Sequence, residues 1–361
     1  MPAFVPSLEL ARAFYHDVLA KRIGQIPHAA ALIGEGSEVL GFDTARSTDH
    51  AWGPRGQIFV TAAVVEQVRE LIDAQLPDTF RGWPVHYYRW QTKRVEHHIE
   101  VTTLHAWLEK HFGASLRTPL TTSAWLATPQ QLLLEVTRGA VFHDDSGELT
   151  HVRELLRWYP EAIWLWMMAA QWGRLAGEES FMGRTAELGD DLGTHLVATT
   201  IARHAIQLCF LQGRQYMPYA KWVGPAFARL PAASAVGEVL KDLYAAEDYG
   251  TRGEAVVQLY GCLARQHNTL GVTPTVSATI DTYQVGINDA VRPYPVLNAS
   301  RFKQACLQAI TDEALRRLPV VGAIDQLVEP TDLLIHFTDW PQRFRTAYQD
   351  QIEALLGTAA E

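Results

Sequence analysis

Small residues and a carboxylate near the N-terminus have a spacing that suits phosphate chemistry. Gly36 and Ser37 follow the apolar segment 28–33, and Asp49 comes shortly before a second apolar segment, 56–61. Glycine lets a phosphate approach the backbone, and exposed N–H groups together with a serine hydroxyl can hold its oxygen atoms. A carboxylate at the head of the next strand can hold a divalent cation. This arrangement is typical of nucleotidyl transfer, in which metal ions clamp the attacking and leaving oxygens.

The metal-binding pair expected of such a site is incomplete. An Asp-x-Asp pair on a strand places two carboxylates on one face, because side chains alternate with a period of two. Here the sequence reads Asp49-His50-Ala51, so the second carboxylate is missing and His50 would point to the other face. Taken alone, Asp49 is more typical of a turn or a helix cap. We predict that Asp49 is a metal ligand, and two-metal catalysis stays an open question.

A second acidic residue with the right setting is Glu100. The segment 95–102 alternates between two faces, as a strand does. Glu100 is our choice for the carboxylate that this chemistry needs on a neighbouring strand, although a solvent-exposed edge strand would show the same pattern. The two faces are Val95, His97, Ile99 and Val101, and Glu96, His98, Glu100 and Thr102.

Further candidates lie in the second half of the chain. Tyr219 and Lys221 offer a ring that can stack on a base and a point charge for phosphate, although a loop packed by aromatic side chains has the same composition. Glu178 or Glu179 can act as the general base that deprotonates a substrate hydroxyl, but a solvated helix face is the commoner meaning. The full candidate set is Asp49, Glu100 and Glu178 for catalysis, Asp49 and Glu100 as metal ligands, and Gly36, Ser37, Ser47, Tyr219 and Lys221 for nucleotide binding.

Another sequence with metal-ligand residue types is His143-Asp144-Asp145. Asp-Asp-Ser-Gly is also typical of a turn that leads into a helix cap, so we interpret this segment as a turn. The sequence contains no GxxxxGK[ST], HExxH or GxSxG motif. P-loop, zinc-protease and serine-hydrolase chemistry therefore have no motif support.

Two kinds of secondary structure must position these residues. The first part of the chain mixes short apolar strands with helices, and the last two strands are close enough to form a hairpin. After about residue 126, long helical periodicities dominate. We predict an α+β fold, with a mixed-sheet domain at 1–125 and an all-helical domain at 126–361. The predicted strands are 28–33, 56–61, 85–90 and 95–102.

Composition narrows the function classes. The 361-residue chain carries a formal net charge of −9, which argues against a broad basic face for nucleic acid. Its three cysteines are far apart in sequence, which favours a reducing, cytoplasmic setting over a disulfide framework. The N-terminus has no signal-peptide pattern, and the densest apolar stretch, 163–170, is too short to span a membrane. The oligomeric state stays open.

The segment GSEVLGFDTARSTDHAWGPR resembles the signature of the bacterial proteins grouped as domain of unknown function 4037, a nucleotidyltransferase-fold family. The resemblance implies an N-terminal fold like that of aminoglycoside nucleotidyltransferases and a helical domain that closes over the substrate. It also implies that Gly36 and Ser37 form the phosphate turn and that Asp49 is a metal ligand. The family pattern reads Asp-His-Asp-Trp where this chain has Asp49-His50-Ala51-Trp52. Further similar segments are GAVFHDDSGELTHVRELLRWYP, EESFMGRTAELGDDLG, FLQGRQYMPYAKWVGPAF, RPYPVLNASRF and GAIDQL.

These observations lead to two principal hypotheses. In the first, the protein uses ATP or another nucleoside triphosphate and Mg²⁺ to transfer a nucleoside monophosphate to a hydroxyl of a small molecule. In the second, Ala51 marks a catalytically degraded protein that still binds a nucleotide or a partner and acts in regulation. A purely structural scaffold is a third reading, which the clustering of polar residues disfavours.

Overall fold

The computed structural model divides the chain into two compact units. The first is Met1–Leu120 with Gln130–Arg157, and the second is Thr121–Pro129 with Trp158–Glu361. The residues that the structure describes are 2–49, 52–74, 76–89, 92–113, 116, 119–329, 331–335 and 339–357.

The strands are short, and most of them lie in the first unit. They are β1 (Ala29–Leu32), β2 (Arg55–Phe59), β3 (Thr79–Phe80), β4 (Trp83–Pro84), β5 (His86–Arg89), β6 (Arg94–Thr102), β7 (Ala140–Asp144), β8 (Asp281–Gln284) and β9 (Val291–Val296).

Helices make up much of both units. They are α1 (Ser7–Phe14), α2 (Ala20–Ile23), α3 (Val65–Asp73), α4 (Leu104–Phe112), α5 (Thr122–Ala127), α6 (Gln130–Thr137), α7 (Glu148–Leu155), α8 (Glu161–Glu178), α9 (Phe181–Glu187), α10 (Asp191–Gln212), α11 (Val223–Phe227), α12 (Ala233–Ala245), α13 (Tyr249–Leu270), α14 (Ser300–Ala309), α15 (Glu313–Arg317), α16 (Ile324–Leu327), α17 (Thr331–Ile335) and α18 (Asp339–Gly357). A π-helical turn, Tyr15–Leu19, joins α1 to α2, and 3₁₀ turns occur at Ala45–Asp49, Ala62–Val64 and Ala220–Trp222.

The first unit is built on a mixed five-stranded sheet in the order β5-β6-β2-β1-β7. β2 and β6 are parallel, which requires a crossover, and α3 lies on that connection. The other neighbouring strands pair antiparallel. The predicted hairpin is confirmed, since Arg89 pairs with Arg94 across β5 and β6. The mixed sheet and the helical region that follows confirm the α+β prediction.

Strand β7 belongs to the first unit, although it lies beyond the domain boundary expected from the sequence. The sequence analysis interpreted its end as part of a turn, but the structure pairs β7 with β1 at the sheet edge. The segment Gln130–Arg157 therefore packs with the first unit, which differs from the boundary expected at 125/126. A strand this short has no clear period, so the pairing partner decides its conformation.

The two faces of the sheet differ in chemistry. One face packs against helices α1 to α3, with Phe14, Val68, Ile58 and Ile99 in a single buried cluster. Fully burying a side chain of this size stabilises the fold by roughly 1.5–3 kcal/mol. The opposite face carries polar residues in register, because Arg55 lies beside His98 and Gln57 beside Glu100.

The second unit is mainly helical, as expected. Helix α8 packs against α10 and α14, and it buries three tryptophans, Trp164, Trp166 and Trp172. The Trp164 indole donates a hydrogen bond to the carbonyl of Leu211 at 2.7 Å, so its polar atom is satisfied inside the core. This unit also contains the ribbon β8–β9, which the periodicity of the sequence did not indicate.

None of the helices in the described part of the chain is long and apolar enough to cross a membrane.

Candidate functional site

The Gly36-Ser37 turn follows β1, as predicted, and its glycine is required by the geometry. Gly36 has a φ of +132°, a conformation that side chains with a Cβ rarely adopt. A Cβ at this position would also lie 2.5 Å from the Arg55 guanidinium and 2.6 Å from the Glu38 carboxylate. At this turn the backbone therefore lies close to two charged side chains, those of Arg55 and Glu38.

A buried ion pair borders the turn. Arg55 of β2 donates to the Glu38 carboxylate and to the carbonyl of Glu35. Burial alone lowers the pKa of the Arg55 guanidinium, but the Glu38 carboxylate beside it raises that pKa above its ordinary value. The sequence analysis did not identify this pair, because Glu38 and Arg55 become neighbours only when the turn folds back on β2.

Two predicted nucleotide-binding residues meet at the turn. The Ser37 hydroxyl donates to the Ser47 hydroxyl at 3.2 Å, and Ser47 Oγ accepts a hydrogen bond from the backbone N–H of Thr44 at 3.1 Å. The 3₁₀ turn Ala45–Asp49 therefore lies against the Gly36-Ser37 turn. This contact brings the serine hydroxyls of two loops within reach of one bound group.

Asp49 is not at the head of a strand, as the sequence analysis expected. It ends the 3₁₀ turn, and β2 starts only at Arg55. Its carboxylate is half exposed and lies 3.6 Å from the guanidinium of Arg46, one turn earlier in the chain. The short 3₁₀ turn forms because the Ser47 and Thr48 hydroxyls bond to nearby backbone, which competes with extended structure. His50 and Ala51 lie outside the described residues.

Glu100 lies on the polar face of β6. Its carboxylate accepts a hydrogen bond from the Lys110 ammonium at 3.2 Å, and the His111 ring nitrogen Nε2 is 4.0 Å away. The alternative of an exposed edge strand is wrong, because β6 pairs with β5 on one side and with β2 on the other. Gln57 of β2 lies in register with Glu100. It exchanges two hydrogen bonds of 3.1 Å with the backbone of Ile33, just before the Gly-Ser turn.

A buried glutamate near the turn escaped the sequence analysis. The Glu135 backbone carbonyl accepts a hydrogen bond from the N–H of Gly34 at 2.7 Å, and its side chain accepts one from Gln131 at 3.0 Å. Burial raises the pKa of the Glu135 carboxyl to about 7, and the negative charge of Glu35 adds to this. The sequence does contain a signal for this residue, a glutamate inside the apolar segment of α6. Because unpaired charges are rarely buried, such a glutamate indicates an unusual carboxyl group.

His111, which lies in α4 beside Glu100, is a further polar group that the sequence analysis did not single out. Burial lowers the pKa of its ring, while the charge of Glu100 acts in the opposite direction. The ring stacks on Trp107 with 4.6 Å between centroids. Glu135 of α6 and His111 of α4 are therefore two side chains of the first unit that can take part in proton transfer.

Of the two glutamates proposed as the general base, one has a structural role. The Glu179 carboxylate accepts hydrogen bonds from the backbone N–H groups of Leu297 at 2.8 Å and Ala299 at 3.2 Å, next to the start of α14. Burial raises its pKa to about 7, against the effect of these hydrogen bonds. Glu178 ends α8, and partial burial raises the pKa of its carboxyl as well. Glu178 is therefore the better candidate for moving a proton.

Tyr219 and Lys221 lie together in the second unit. The Trp222 indole donates to the Tyr219 hydroxyl at 3.1 Å, and the Lys221 ammonium is 4.8 Å from the centre of the Trp222 ring. Lys221 is exposed, in the 3₁₀ turn Ala220–Trp222. The aromatic packing proposed as the alternative meaning of this loop is thus present, and it leaves the ammonium at the surface.

The metal-ligand residue types converge elsewhere in the first unit. Within the described ranges, one group of three or more histidine, cysteine, aspartate or glutamate side chains has donor atoms within 4.8 Å of one another, and it consists of His28, His143 and Asp145. Asp49 and Glu100 are not part of such a group. Asp144 is the last residue of β7 and not a turn residue, and its carboxylate accepts from the N–H and hydroxyl of Thr150 in α7.

Residues 125–223 match the model of the family described as Domain of unknown function (DUF4037). This match confirms the family resemblance over that part of the chain, which includes Glu135, Glu178 and Lys221 but not the Gly36-Ser37 turn. No curated protein matches the sequence.

A solved structure of a nucleotidyltransferase-like protein from Exiguobacterium sibiricum 255-15 is similar to this chain at 14% sequence identity and a TM-score of 0.33. The alignment covers 86% of this chain and 91% of the other.

Proposed function

We propose that this protein binds a nucleoside triphosphate at the Gly36-Ser37 turn and transfers the nucleoside monophosphate to a hydroxyl group of a small molecule. The observation that supports this most directly is the turn itself. Gly36 has a φ of +132°, which residues with a Cβ rarely adopt, and the hydroxyls of Ser37 and Ser47 meet beside it. Backbone N–H groups and hydroxyls gathered in this way are suited to phosphate oxygens.

The surroundings of the turn supply acidic ligands. Arg55 lies against the turn, where its charge is balanced by Glu38. Asp49 and Glu100 supply the hard oxygen atoms that Mg²⁺ prefers. In the folded chain Asp49 pairs with Arg46 and Glu100 with Lys110, so a bound Mg²⁺ would have to take the place of these cations. A bound Mg²⁺ supplies charge neutralisation on the phosphates.

The chemistry of transfer needs a proton acceptor. The acceptor hydroxyl oxygen forms a bond to the α-phosphorus, the bond to the bridging oxygen of the β-phosphate breaks, and pyrophosphate leaves with that electron pair. A carboxylate must accept the hydroxyl proton, and the candidate predicted from the sequence is Glu178, whose pKa is raised by partial burial. Tyr219 and Lys221 are the nucleotide-binding candidates that the sequence predicts in the second unit.

Pyrophosphate release tests this proposal. The full chain is incubated with ATP, Mg²⁺ and candidate acceptors, including aminoglycosides, and pyrophosphate is measured. We expect Asp49→Asn to lower kcat by at least about tenfold, because a carboxylate ligand of the Mg²⁺ that neutralises the phosphate charge is lost. Asp17→Asn is the matched control, since Asp17 is also an exposed carboxylate paired with an arginine, Arg81. Full activity in Asp49→Asn would contradict the mechanism.

A second candidate function is nucleotide binding without turnover. It is favoured by Ala51, which cannot ligate a metal, and by the contact of Asp49 with Arg46. Titration calorimetry with ATP, with and without Mg²⁺, distinguishes the two functions. Binding that is independent of Mg²⁺, with no pyrophosphate released, favours this candidate. Turnover that appears only in Ala51→Asp indicates that the unaltered chain has lost a metal ligand. Mg²⁺-dependent turnover in the unaltered protein excludes this second candidate function.

A further inference from the structure

Two histidines and an aspartate meet at an edge of the sheet, away from the proposed nucleotide site. His28 precedes β1, and Asp145 follows β7, 117 residues further along the chain. One donor atom from each of His28, His143 and Asp145 lies within 4.8 Å of the other two. The Gly36-Ser37 turn follows the opposite end of β1, so this cluster is independent of the proposed function.

The His28 ring is held in one orientation. Its Nδ1 is 2.8 Å from the carbonyl oxygen of Ile26, and because a carbonyl only accepts, Nδ1 carries the hydrogen. Nε2 then has a lone pair, which accepts a hydrogen bond from the Tyr15 hydroxyl at 2.9 Å. A backbone carbonyl on the far nitrogen is the usual outer partner of a metal-binding histidine. His28 is 7% exposed, so this orientation is fixed by its surroundings.

Tyr15 supplies a further oxygen. Its hydroxyl oxygen lies 2.9 Å from His28 Nε2, so an ion bound at that nitrogen would replace this hydrogen bond and lie beside the oxygen. Tyr15 also begins the π-helical turn Tyr15–Leu19. Single π-helical turns within helices occur frequently at functional sites.

The other two ligands are open to solvent. The side chains of His143 and Asp145 are 38% and 44% exposed. Asp145 Oδ1 is 2.9 Å from His143 Nε2, and its Oδ2 accepts the backbone N–H of His28 at 2.9 Å. An ion can therefore enter from solvent, and rotation of these exposed side chains can close the cluster from 4.8 Å to the spacing of a coordination shell.

We propose that Tyr15, His28, His143 and Asp145 bind a divalent transition-metal ion, with Zn²⁺ as the best match. Imidazole nitrogens combined with a carboxylate suit this class of metal, while Mg²⁺ and Ca²⁺ prefer oxygen-only sites. The His28 and His143 rings pack together with 4.6 Å between ring centres, which places two imidazoles beside the Asp145 carboxylate.

Metal stoichiometry tests the proposal. The full chain is stripped with a chelator, dialysed against ZnCl₂ and then against metal-free buffer, and its zinc is measured by plasma mass spectrometry. We expect one Zn²⁺ per chain and a rise in Tm on loading. Cobalt substitution gives a second readout, because Co²⁺ in a tetrahedral nitrogen and oxygen site has visible absorption bands.

His143→Gln is the informative variant, because His143 is partly exposed and its loss spares the core. We expect its Zn²⁺ affinity to fall at least tenfold, with the cobalt bands lost. His151→Gln is the matched control, since His151 is an exposed histidine of the same unit. If His143→Gln does not fold, Asp145→Asn keeps the shape and a hydrogen-bond acceptor, and the same loss is expected. Equal affinity in the folded variant and the unaltered protein, or zinc well below one equivalent, overturns the proposal.

Discussion

Single charged residues decide the stability of the region around the Gly36-Ser37 turn. The ion pair between Arg55 and Glu38 is buried, with only 15% and 4% of the two side chains exposed. Removing one member of such a pair leaves a buried charge without a partner, which costs far more than the pair itself contributes.

Arg55→Met is therefore expected to lower the free energy of unfolding by about 3 kcal/mol. Urea denaturation, followed by tryptophan fluorescence, measures the change. Arg157→Met is the control, since Arg157 and Glu154 form an exposed ion pair at the end of α7, where a loss of less than about 1 kcal/mol is expected. Equal losses in the two variants would show that Glu38 finds another partner or water.

Glu135 is a second residue whose burial has a measurable consequence. In the folded chain its carboxyl keeps a proton up to a pKa of about 7, whereas its ordinary pKa is 4.5. The folded state therefore binds more protons in this window, and stability falls as the pH rises from about 4.5 to 7.

Glu135→Gln removes that pH dependence while it keeps the oxygen that accepts from Gln131. We expect the variant to be more stable than the unaltered protein at pH 8, by about 2–3 kcal/mol, and to show little gain at pH 4.5. Urea midpoints measured across this pH range test the expectation. A gain that is constant with pH would mean that Glu135 ionises normally in the folded chain.

At the scale of elements, the end of β1 depends on close contact with the segment that leads into β7. Gly139 has a φ of +70°, and a Cβ there would lie only 2.0 Å from the carbonyl oxygen of Leu32. Its own N–H donates to the carbonyl of Val39 at 2.9 Å, so the backbone cannot move aside without losing that bond. This contact aligns β7 beside β1.

Gly139→Ala is expected to destabilise the protein by more than about 3 kcal/mol, since overpacking adds to the conformational cost. Gly147→Ala is a matched control in the same segment, because Gly147 has a φ of +72° and nothing within 4 Å of an added Cβ. That control should cost only about 1–2 kcal/mol. Thermal unfolding compares the two variants. Similar Tm losses would rule out the backbone contact as the cause.

At the scale of the whole molecule, each unit contains buried histidines that stay neutral. Burial lowers the pKa of His98 in the first unit to about 4, and that of His267 in the second unit to about 4. An unfolded histidine takes up a proton near its ordinary pKa of 6.5. The unfolded state therefore binds more protons below that pH, and both units lose stability as the pH falls from about 6.5 to 4.

His267→Gln isolates one of these contributions. His267 accepts a hydrogen bond from Trp172 at 3.2 Å, so the variant should be less stable at pH 7. Its disadvantage should shrink as the pH falls towards 4.5, because the unaltered protein alone must keep an imidazole neutral. Denaturant midpoints at several pH values measure this. A disadvantage that grows on acidification would contradict a buried neutral histidine.

Much of the local structure was predictable. Alternation along 95–102 predicted β6 and its two faces, because a strand that has one face in the core repeats every two residues. Helical periodicity likewise identified most of the second unit. Glycine and serine after an apolar segment predicted the turn at Gly36, where the backbone has a φ that favours glycine.

Other features depended on residues far apart in the chain. Asp49 was expected beside a strand, yet hydrogen bonds of Ser47 and Thr48 place it in a 3₁₀ turn beside Arg46. The Ser37–Ser47 contact likewise needs the folded loop, since neither residue has a pattern of its own. The role of Glu179 was hidden because its partners, around residue 298, are more than a hundred positions away.

The sequence by itself determined the periodic elements and the turn, because those follow from steric and burial preferences within a few residues. Only the tertiary structure decided which side chains share a site. The antiparallel pairing of β1 with β7 brings His28 to His143 and Asp145, and no local preference encodes a contact over that separation. The same holds for the balance between Glu38 and Arg55, since charge and burial combine only after the chain has folded.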